Sequence, residues 1–378
     1  MAKLDDGESG QYAGRPMRAW SRKLVLVALA VIVLGFVVYR ARGFFHFGDF
    51  SGEKLFHALR DANPFLLFLS VIAIYGCYVL RSLRWEVFQQ NLGPSHFWNI
   101  YAMTLAGFSA VFLLGRAGEP IRPLLLARKE KLPVSGLFGI YVLERLFDVA
   151  STAVIAAIGL LLFQSHAHAG ETANKLQTAA KTTGFVLFAG VLGAAVVLIY
   201  LRLHGTALLE RRLQPVIATH GWKAKFASLV LGFARGVQTV RTWGQLALAV
   251  LYSTAHWFLV LLVYLWVSHS FSGRLASITL GNAMLLMAFS AVGSAVQVPG
   301  VGGGSQAGAI IAYTAIFGVE REPAVAAAIV LWLISFAMCS VVGVPLLIRE
   351  GWSLGELRRL AESEAASELQ DARGETAE

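Results

Sequence analysis

The chain has 378 residues, of which 56% are hydrophobic and 15% charged, and its mean hydropathy is +0.62. This composition excludes an ordinary soluble domain, because several apolar runs are long enough to cross a bilayer. The net charge of +9 does not indicate nucleic-acid binding. The basic residues lie in short loops between apolar runs, where they set orientation and contact anionic lipid.

The N-terminal 22 residues are predicted to be a polar cytoplasmic tail. The apolar run Leu24 to Tyr39 follows without a small-residue cleavage site, which favours an uncleaved span over a signal peptide. Residues 23–350 are predicted to form one transmembrane domain, and residues 351–378 an acidic cytoplasmic tail. Cys77 and Cys339 lie inside apolar runs and indicate neither a disulfide framework nor a metal site.

Six apolar runs are predicted to be full spans: Leu24 to Tyr39, Pro64 to Leu80, Ser135 to Phe163, Thr183 to Leu201, Gln245 to Val267 and Pro323 to Ile348. Three further apolar segments are harder to place as crossings: Trp98 to Leu114, Ile278 to Val298 and Ala307 to Val319. The last of them is too short to cross a hydrocarbon core roughly 30 Å thick.

The excess of Lys and Arg in cytoplasmic loops decides between topologies. If Trp98 to Leu114 crossed from the inside, the basic residues between Arg116 and Lys131 would all be external. We therefore predict that the chain turns within Gly115 to Pro123 and returns as a re-entrant hairpin. This topology leaves the basic cluster Arg128 to Lys131 in the cytoplasm.

The same argument makes Ile278 to Val319 a second re-entrant hairpin, which opens to the other side and turns at Pro299 to Gly304. Residues 64–163 and 245–348 then form two units of opposite orientation, each a span, a hairpin and a span. The predicted fold class is an all-α polytopic membrane protein with six full spans and two re-entrant helical hairpins arranged as an inverted repeat. Both termini are predicted to be cytoplasmic.

A basic cytoplasmic connector, residues 202–244, is predicted to link the second unit to the preceding span. It mixes leucines with basic residues such as Arg211 and Arg212. This pattern fits either a pair of amphipathic interfacial helices or a solvated loop on the cytoplasmic side.

Charged residues inside the predicted membrane region are the first candidate binding groups, together with one tyrosine. They are Arg116, Glu119, Arg122, Tyr141, Glu144, Arg145 and Asp148. The last four are spaced to lie on one side of a helix, and the first hairpin should bring the other three to a similar depth. Charges at that depth are costly and more often functional than structural. The alternative is a buried ion-pair network that only fixes the hairpin to the helix.

The second hairpin offers unwound backbone, free amide groups and two polar side chains, which could bind an anionic headgroup. The candidate residues are Pro299, Gly300, Gly302, Gly303, Gly304, Ser305 and Gln306. The alternative is a tight glycine turn without a ligand. His256 is expected to be a hydrogen-bonded core histidine, not a ligand.

The sequence contains no nucleophile elbow, no zinc spacing and no phosphate loop with its lysine. We therefore expect that the protein is not an enzyme and that it uses no metal and no cofactor. A nucleic-acid partner is not expected either.

Three motifs carry a resemblance to a known family: Gly115 to Arg122, Val142 to Asp148, and Pro299 with the glycines after it. Together they resemble the lysylphosphatidylglycerol synthase transmembrane-region family, also called flippase-like proteins, over roughly residues 20 to 350. That family is linked to moving lipids between leaflets. In the full synthases the module precedes a soluble domain that attaches lysine to phosphatidylglycerol. This chain ends before such a domain, so the resemblance implies the flippase-like part alone.

The second hairpin departs from the family pattern at two positions. The family typically has a glycine and a glutamate where this chain has Val301 and Gln306. The missing carboxylate implies a different headgroup.

The predicted function is the movement of a polar-headed lipid, carrying a phosphate or a lipid-linked sugar, between the leaflets of the inner membrane. The arginines of the first hairpin and Arg145 are expected to hold an anionic headgroup. Glu119, Glu144 and Asp148 are expected to orient these arginines or to pair with a cationic part of the headgroup. The alternative is a non-transporting membrane partner of a lipid- or glycan-modifying enzyme.

Overall fold

The computed structural model describes residues 60–163, 171–204, 207–217, 242–294 and 302–351, with a few further positions at 53, 56, 57, 227, 297, 298 and 300. The predicted span Leu24–Tyr39, the N-terminal tail, the tail after Gly351 and most of the connector lie outside the described residues.

The described part of the chain is mostly helical. Its helices are α1 Pro64–Gln89, α2 Phe97–Leu114, α3 Ile121–Glu130, α4 Val134–Leu161, α5 Glu171–His204, α6 Ala207–Ile217, α7 Trp243–His269, α8 Leu280–Gly293, α9 Gly304–Ile311, α10 Arg321–Trp332 and α11 Met338–Arg349.

Short non-α segments complete these elements. Single 3-10 turns lie at Gly115–Gly118 and Gly273–Ser277. One π-helical turn, Ala312–Ile316, extends α9, and another, Leu333–Ala337, joins α10 to α11. Two antiparallel strands, β1 Gln297–Val298 and β2 Gly302–Gly303, precede α9, with Gln297 opposite Gly303.

Local sequence sets several helix ends. The Asn63 side chain accepts a 3.0 Å hydrogen bond from the Phe65 amide at the start of α1, whose first residue is a proline. Thr242 and Gln245 cap α7 reciprocally. Lys131 adopts a left-handed conformation with φ of 55° and ends α3, which lets the chain turn into α4.

Four of the described helical stretches are long and apolar enough to cross a membrane: α1, α2, α7 and the continuous stretch Arg321–Arg349. They include three of the predicted spans, those beginning at Pro64, Gln245 and Pro323. Helix α4 has 28 residues but carries three charges near its middle, and the 34-residue α5 contains the predicted span Thr183–Leu201. The protein is therefore a multi-pass helical membrane protein, while the number of six full spans stays a prediction.

One predicted boundary is wrong. The first described span does not end at Leu80, because α1 continues to Gln89. Arg81 and Arg84, which the prediction placed in a cytoplasmic loop, lie within this helix and are only 8% and 1% exposed. Their guanidinium groups remain inside the protein because carboxylates of α4 pair with them.

The segment predicted as the first hairpin contains two antiparallel helices, α2 and α3. Glu130 near the end of α3 accepts a 2.8 Å hydrogen bond from Asn99 and lies 2.9 Å from the His96 ring, both near the start of α2. Gly107 on α2 lies directly against Arg122 on α3, so that an added Cβ would overlap the arginine side chain. The two helices therefore return the chain to the level at which it began.

The second predicted hairpin has the same form, with α8 antiparallel to α9. Gly293 near the end of α8 touches the backbone of Gly304, and the Ser290 hydroxyl donates a 3.0 Å hydrogen bond to the Ser305 carbonyl. Both segments are thus closely packed helix pairs. Their re-entrant placement in a membrane stays a prediction.

The first helices of the two units, α1 and α7, run antiparallel to each other. Helix α1 lies along α7, and Arg84 donates to Ser253 over 2.9 Å while the earlier Gly76 meets the later Leu259. Each hairpin contacts the last helix of the other unit: α2 of the first hairpin packs on α11, and α8 of the second hairpin packs on α4. This reciprocal pattern is the one that a twofold relation between the units would produce, and the inverted orientation in a membrane stays a prediction.

The tips of the two hairpins touch. The Gly300 amide donates a 2.8 Å hydrogen bond to the Phe112 carbonyl near the end of α2. The Phe112 ring packs on Trp332 with 5.7 Å between ring centroids, inside a small apolar cluster that includes Ala337. The tips therefore meet in the interior of the protein.

Candidate functional site

A cluster of charges lies where α1, α3 and α4 meet. Arg81 donates from Nη1 to Glu144 Oε1 over 3.0 Å and to Asp148 Oδ2 over 2.9 Å. Arg84, one turn further along α1, donates from Nη2 to the same two carboxylates over 3.0 Å and 2.8 Å. Two arginines and two carboxylates thus form four ion pairs, which offset part of the cost of burying each charge.

Glu144 and Asp148 reach these arginines because they are four residues apart on α4 and so share one face of the helix. Glu144 lies ten residues after Val134, which places it about 15 Å along the helix at 1.5 Å per residue. The residues are 2% and 7% exposed. Both carboxylates therefore obtain their hydrogen bonds and counter-charges from protein groups and not from water.

Arg122 adds a third guanidinium from the first hairpin. It forms a two-point ion pair with Glu144, in which Nη1 donates to Oε1 over 3.4 Å and Nη2 lies against Oε2. Its guanidinium carbon lies 4.1 Å from the Trp85 ring centroid and 5.4 Å from that of Phe108. The Nε atom of Arg122 is buried without a hydrogen-bond partner among the described residues.

The inner cluster consists of Arg81, Arg84, Arg122, Glu144 and Asp148. It holds three guanidinium groups and two carboxylates, so one positive charge is in excess within this cluster. A buried excess charge is unfavourable unless a counter-charge reaches it. The arrangement is therefore suited to an anionic group.

His256 on α7 borders the inner cluster. Its Nε2 lies 3.1 Å from Arg81 Nη2, and its Nδ1 lies 3.3 Å from the Cys77 carbonyl. Because the guanidinium can only donate and the carbonyl can only accept, the pattern assigns a neutral ring with the proton on Nδ1. As expected from the sequence, His256 is hydrogen-bonded in the core, and it adds no charge to the cluster.

A second, outer group consists of Glu119, Tyr141 and Arg145. Arg145 Nη2 lies 3.3 Å from Glu119 Oε1, Arg145 Nε donates to the Tyr141 hydroxyl over 2.9 Å, and that hydroxyl donates to Glu119 Oε2. The side chains of Arg145 and Glu119 are 39% and 32% exposed. Arg145 lies beside Glu144 on the cavity side of α4, as the spacing predicted, but it pairs with Glu119 of the hairpin and not with the carboxylates of its own helix.

The inner and outer groups share one cavity. Its lining includes Arg81, Glu119, Arg122, Tyr141, Glu144 and Arg145, together with apolar residues of α2. The space has room for about one water molecule, so the bound part of a larger ligand would have to displace side chains. A ligand can reach the cavity from the side of the outer group, whose side chains are partly exposed. The side chain of Arg116, the remaining candidate of this hairpin, is outside the described positions.

The second hairpin differs from its predicted form. The Gly303 amide is not free, because the Gln306 side-chain oxygen accepts its hydrogen bond. The glycines Gly300, Gly302 and Gly303 all have positive φ, as the tight β1–β2 turn requires. Pro299 lies outside the described residues. The amide nest proposed for an anion is thus partly closed by its own chain.

Sequence reasoning missed Arg81 and Arg84 as members of the site. A signal was present, because the two arginines are three residues apart with Trp85 next to them, directly after an apolar run. Helical periodicity would have placed both on one face if the helix had been extended past Leu80. The positive-inside rule instead assigned them to a loop.

The family described as "Lysylphosphatidylglycerol synthase TM region" matches residues 24–343 of this sequence, which is most of the chain. Among curated proteins, none matches the sequence. The match covers the first helix–hairpin–helix unit, the second unit up to the middle of its last helix, and every residue of the inner cluster. The chain therefore belongs to the lysylphosphatidylglycerol synthase transmembrane-region family.

Proposed function

We propose that this protein moves an anionic, polar-headed lipid between the two leaflets of the inner membrane, with the phosphate of the headgroup held at the inner cluster. In this proposal it catalyses no covalent reaction, and both termini are cytoplasmic. The observation that carries the proposal is the unbalanced charge of the buried cluster, in which Arg122 is the guanidinium in excess.

Arg122 is the residue best suited to bind the phosphate. Arg81 and Arg84 already balance Glu144 and Asp148 through four ion pairs. Arg122 lies on the hairpin, lines the cavity and keeps one buried N–H donor without a partner among the described residues. A planar guanidinium offers two parallel donors to a phosphate, which a lysine does not.

In this proposal the outer group acts as a gate to the cavity. Glu119 and Arg145 neutralise each other at the exposed side of the cavity, and Tyr141 bridges them. An approaching phosphate would compete with Glu119 for Arg145 before it reached Arg122. Arg145 and Glu119 are the least buried ion pair of the cavity, so this pair is the one that an incoming anionic group reaches first.

Movement across the membrane requires the site to open to each side in turn. In our proposal the first hairpin is re-entrant from the cytoplasm and the second from the outside, so the two units form an inverted repeat. The antiparallel pairing of α1 with α7 and the contact between the two hairpin tips support this arrangement.

The test uses purified protein in liposomes that contain phosphatidylglycerol labelled on an acyl chain. Loss of the label's signal to a membrane-impermeant quencher reports how fast inner-leaflet lipid becomes accessible. Arg122→Gln should slow this movement at least about tenfold, since hydrogen bonds to charged groups contribute about 1.5–3 kcal/mol. The fold should survive, because the remaining two arginines and two carboxylates are balanced.

Arg212→Gln is the matched control, since Arg212 is exposed on α6 outside the cluster. It should move lipid at the wild-type rate. Equal rates for wild type and Arg122→Gln would show that the cluster is only structural. If wild-type protein moves no anionic lipid at all, the protein is not a lipid transporter, and a membrane partner of a lipid- or glycan-modifying enzyme becomes the better interpretation.

A further inference from the structure

Two aromatic rings lie against the guanidinium group of Arg122. Its guanidinium carbon lies over the Trp85 ring, 4.1 Å from the ring centroid, and over the Phe108 ring at 5.4 Å. The same Phe108 ring lies 4.9 Å from the guanidinium carbon of Arg81. The face of an aromatic ring carries partial negative charge and attracts cations. We call the rings of Trp85 and Phe108 the aromatic platform.

The aromatic platform helps the inner cluster to hold its third arginine. The carboxylate that Arg122 contacts, Glu144, also pairs with Arg81 and Arg84. Burying a cation that has no counter-charge of its own is costly. A ring lowers this cost without using an N–H group, because it attracts the face of the guanidinium while hydrogen bonds leave from the edge. The N–H groups of Arg122 therefore remain available to oxygen atoms of Glu144 or of a ligand.

The Trp85 ring is itself fixed in position. Trp85 is 1% exposed, and its indole N–H donates a 3.2 Å hydrogen bond to Gln89 Oε1, one turn further along α1. Gln89 is completely buried. Trp85 also belongs to an apolar cluster that includes Ile121 and Leu125 of α3. Its polar end is thus satisfied and its ring is packed, so that it presents a rigid surface to Arg122.

A phosphate in the cavity would compete with Glu144 for Arg122, because Glu144 occupies both Nη groups. The contact with Trp85 would persist during this exchange, since an anion binds the edge of a guanidinium and not its face. Arg122 would then keep its position while its acceptor changes. A side chain that is already ordered loses little further freedom when the ligand binds, which favours binding.

We infer that Trp85 is a positioning residue of the phosphate site, which acts through Arg122 and does not touch the lipid. The inference rests on the proposed function, because it concerns the arginine that the proposal assigns to the headgroup. Trp85 is not among the described residues that line the charged cavity, whereas Phe108 is one of them. Trp85 therefore supports Arg122 from behind, and Phe108 does so from the cavity wall.

The test measures the binding of dihexanoyl phosphatidylglycerol to detergent-solubilised full-length protein by native mass spectrometry. Trp85→Leu removes the ring and should weaken binding about fivefold, the size of the cost of ordering one long side chain. Trp85→Phe keeps an aromatic face beside Arg122 and should bind within about twofold of wild type. Trp266→Leu is the matched control, because this half-buried indole lies on α7 ten residues beyond His256. It should bind the lipid as wild type does.

A double-mutant cycle with Arg122→Gln separates positioning from a general effect on the fold. In the Arg122→Gln background, Trp85→Leu should change the affinity by less than about twofold, because a neutral amide gains little from a ring face. The same fivefold loss in both backgrounds would overturn the inference, and so would wild-type affinity in Trp85→Leu. If Trp85→Leu does not fold, Phe108→Leu takes its place in the cycle, with the same expected non-additivity and the same contradicting results.

The outcomes distinguish this inference from the proposed function. Non-additive binding effects without any movement of lipid in liposomes would remove the proposed transport and leave the role of Trp85 standing. Lipid movement by the wild-type protein together with additive binding effects would remove the role of Trp85 alone. A wild-type protein that does not bind phosphatidylglycerol would overturn both.

Discussion

The amide of Gly300 donates a 2.8 Å hydrogen bond to the carbonyl of Phe112, which joins the tips of the two hairpins in the interior of the protein. Phe112 lies near the end of α2, an arm that lines the charged cavity, and Gly300 lies in the turn that precedes α9. In the proposed mechanism, a headgroup that leaves the charged cavity toward the second hairpin has to separate the two tips. This contact is therefore the closed position of a gate in the proposed mechanism.

Covalent closure of the tips should stop transport. In a background without Cys77 and Cys339, Phe112→Cys combined with Gly300→Cys should form a disulfide on oxidation, since their backbones are hydrogen-bonded neighbours. The oxidised double variant should move labelled phosphatidylglycerol at less than about a tenth of its reduced rate, and reductant should restore movement.

The single-cysteine variants treated with the same oxidant are the controls and should be unaffected. Full transport by a protein that is demonstrably cross-linked would show that the tips need not separate.

Substitutions of two ion-paired residues in the inner cluster should have strongly non-additive effects on the free energy of unfolding. Arg84→Met removes two buried ion pairs and leaves Asp148 with Arg81 as its remaining arginine among the described residues, so it should lower the free energy of unfolding by about 1.5–3 kcal/mol. Adding Asp148→Leu removes its partner at 2.8 Å and should recover a large part of that loss. The measurement is an SDS unfolding titration of all four members of the cycle.

The exposed pair between Lys129 and Glu350, 2.7 Å apart, provides a comparison. Lys129→Gln should change the unfolding free energy by no more than about 1 kcal/mol, because solvent screens pairs of this kind. Additive effects of the Arg84 and Asp148 substitutions would mean that these two groups do not depend on each other.

Two helical glycines should respond in opposite ways to the same substitution. Gly107→Ala places a methyl group against Arg122 and should push the hairpin from α2, at a cost of about 1–3 kcal/mol. Gly139 on α4 has nothing within 4 Å of an added Cβ. Gly139→Ala should therefore be neutral or stabilising by up to about 1 kcal/mol through its helix propensity.

Thermal denaturation in detergent compares the two variants directly. A loss of stability at both positions would implicate helix flexibility, and no loss at Gly107 would contradict the close approach of α2 and α3. The lipid-movement rate of Gly107→Ala is informative as well, because a displaced Arg122 should bind phosphate less well.

The membrane topology can be tested by cysteine labelling from each side. In the cysteine-free background, Lys129→Cys should react with an impermeant maleimide only from the cytoplasm, and Arg321→Cys only from outside. Both side chains are exposed at helix ends. Labelling of position 129 from outside would contradict the re-entrant first hairpin and, with it, the inverted repeat.

The membrane class and the approximate positions of the described spans were determined by the sequence alone, because an apolar run of about 20 residues has few alternatives to a helix in a bilayer. The pairing of Glu144 with Asp148 on one helix face also followed directly from periodicity. Prolines and glycines between Gly115 and Pro123 indicated a turn, and the structure places one there.

Only the tertiary structure decided which groups meet. Periodicity relates residues within one helix and is silent about partners on another, so it could not bring Arg81 and Arg84 to the carboxylates of α4. It also could not show that Arg145 pairs with Glu119 while Arg122 pairs with Glu144, since that choice depends on where the hairpin packs. An arginine marks the end of a span when water is its best partner. It can lie inside the protein when a neighbouring helix offers a carboxylate, and that partner is in place only in the folded protein.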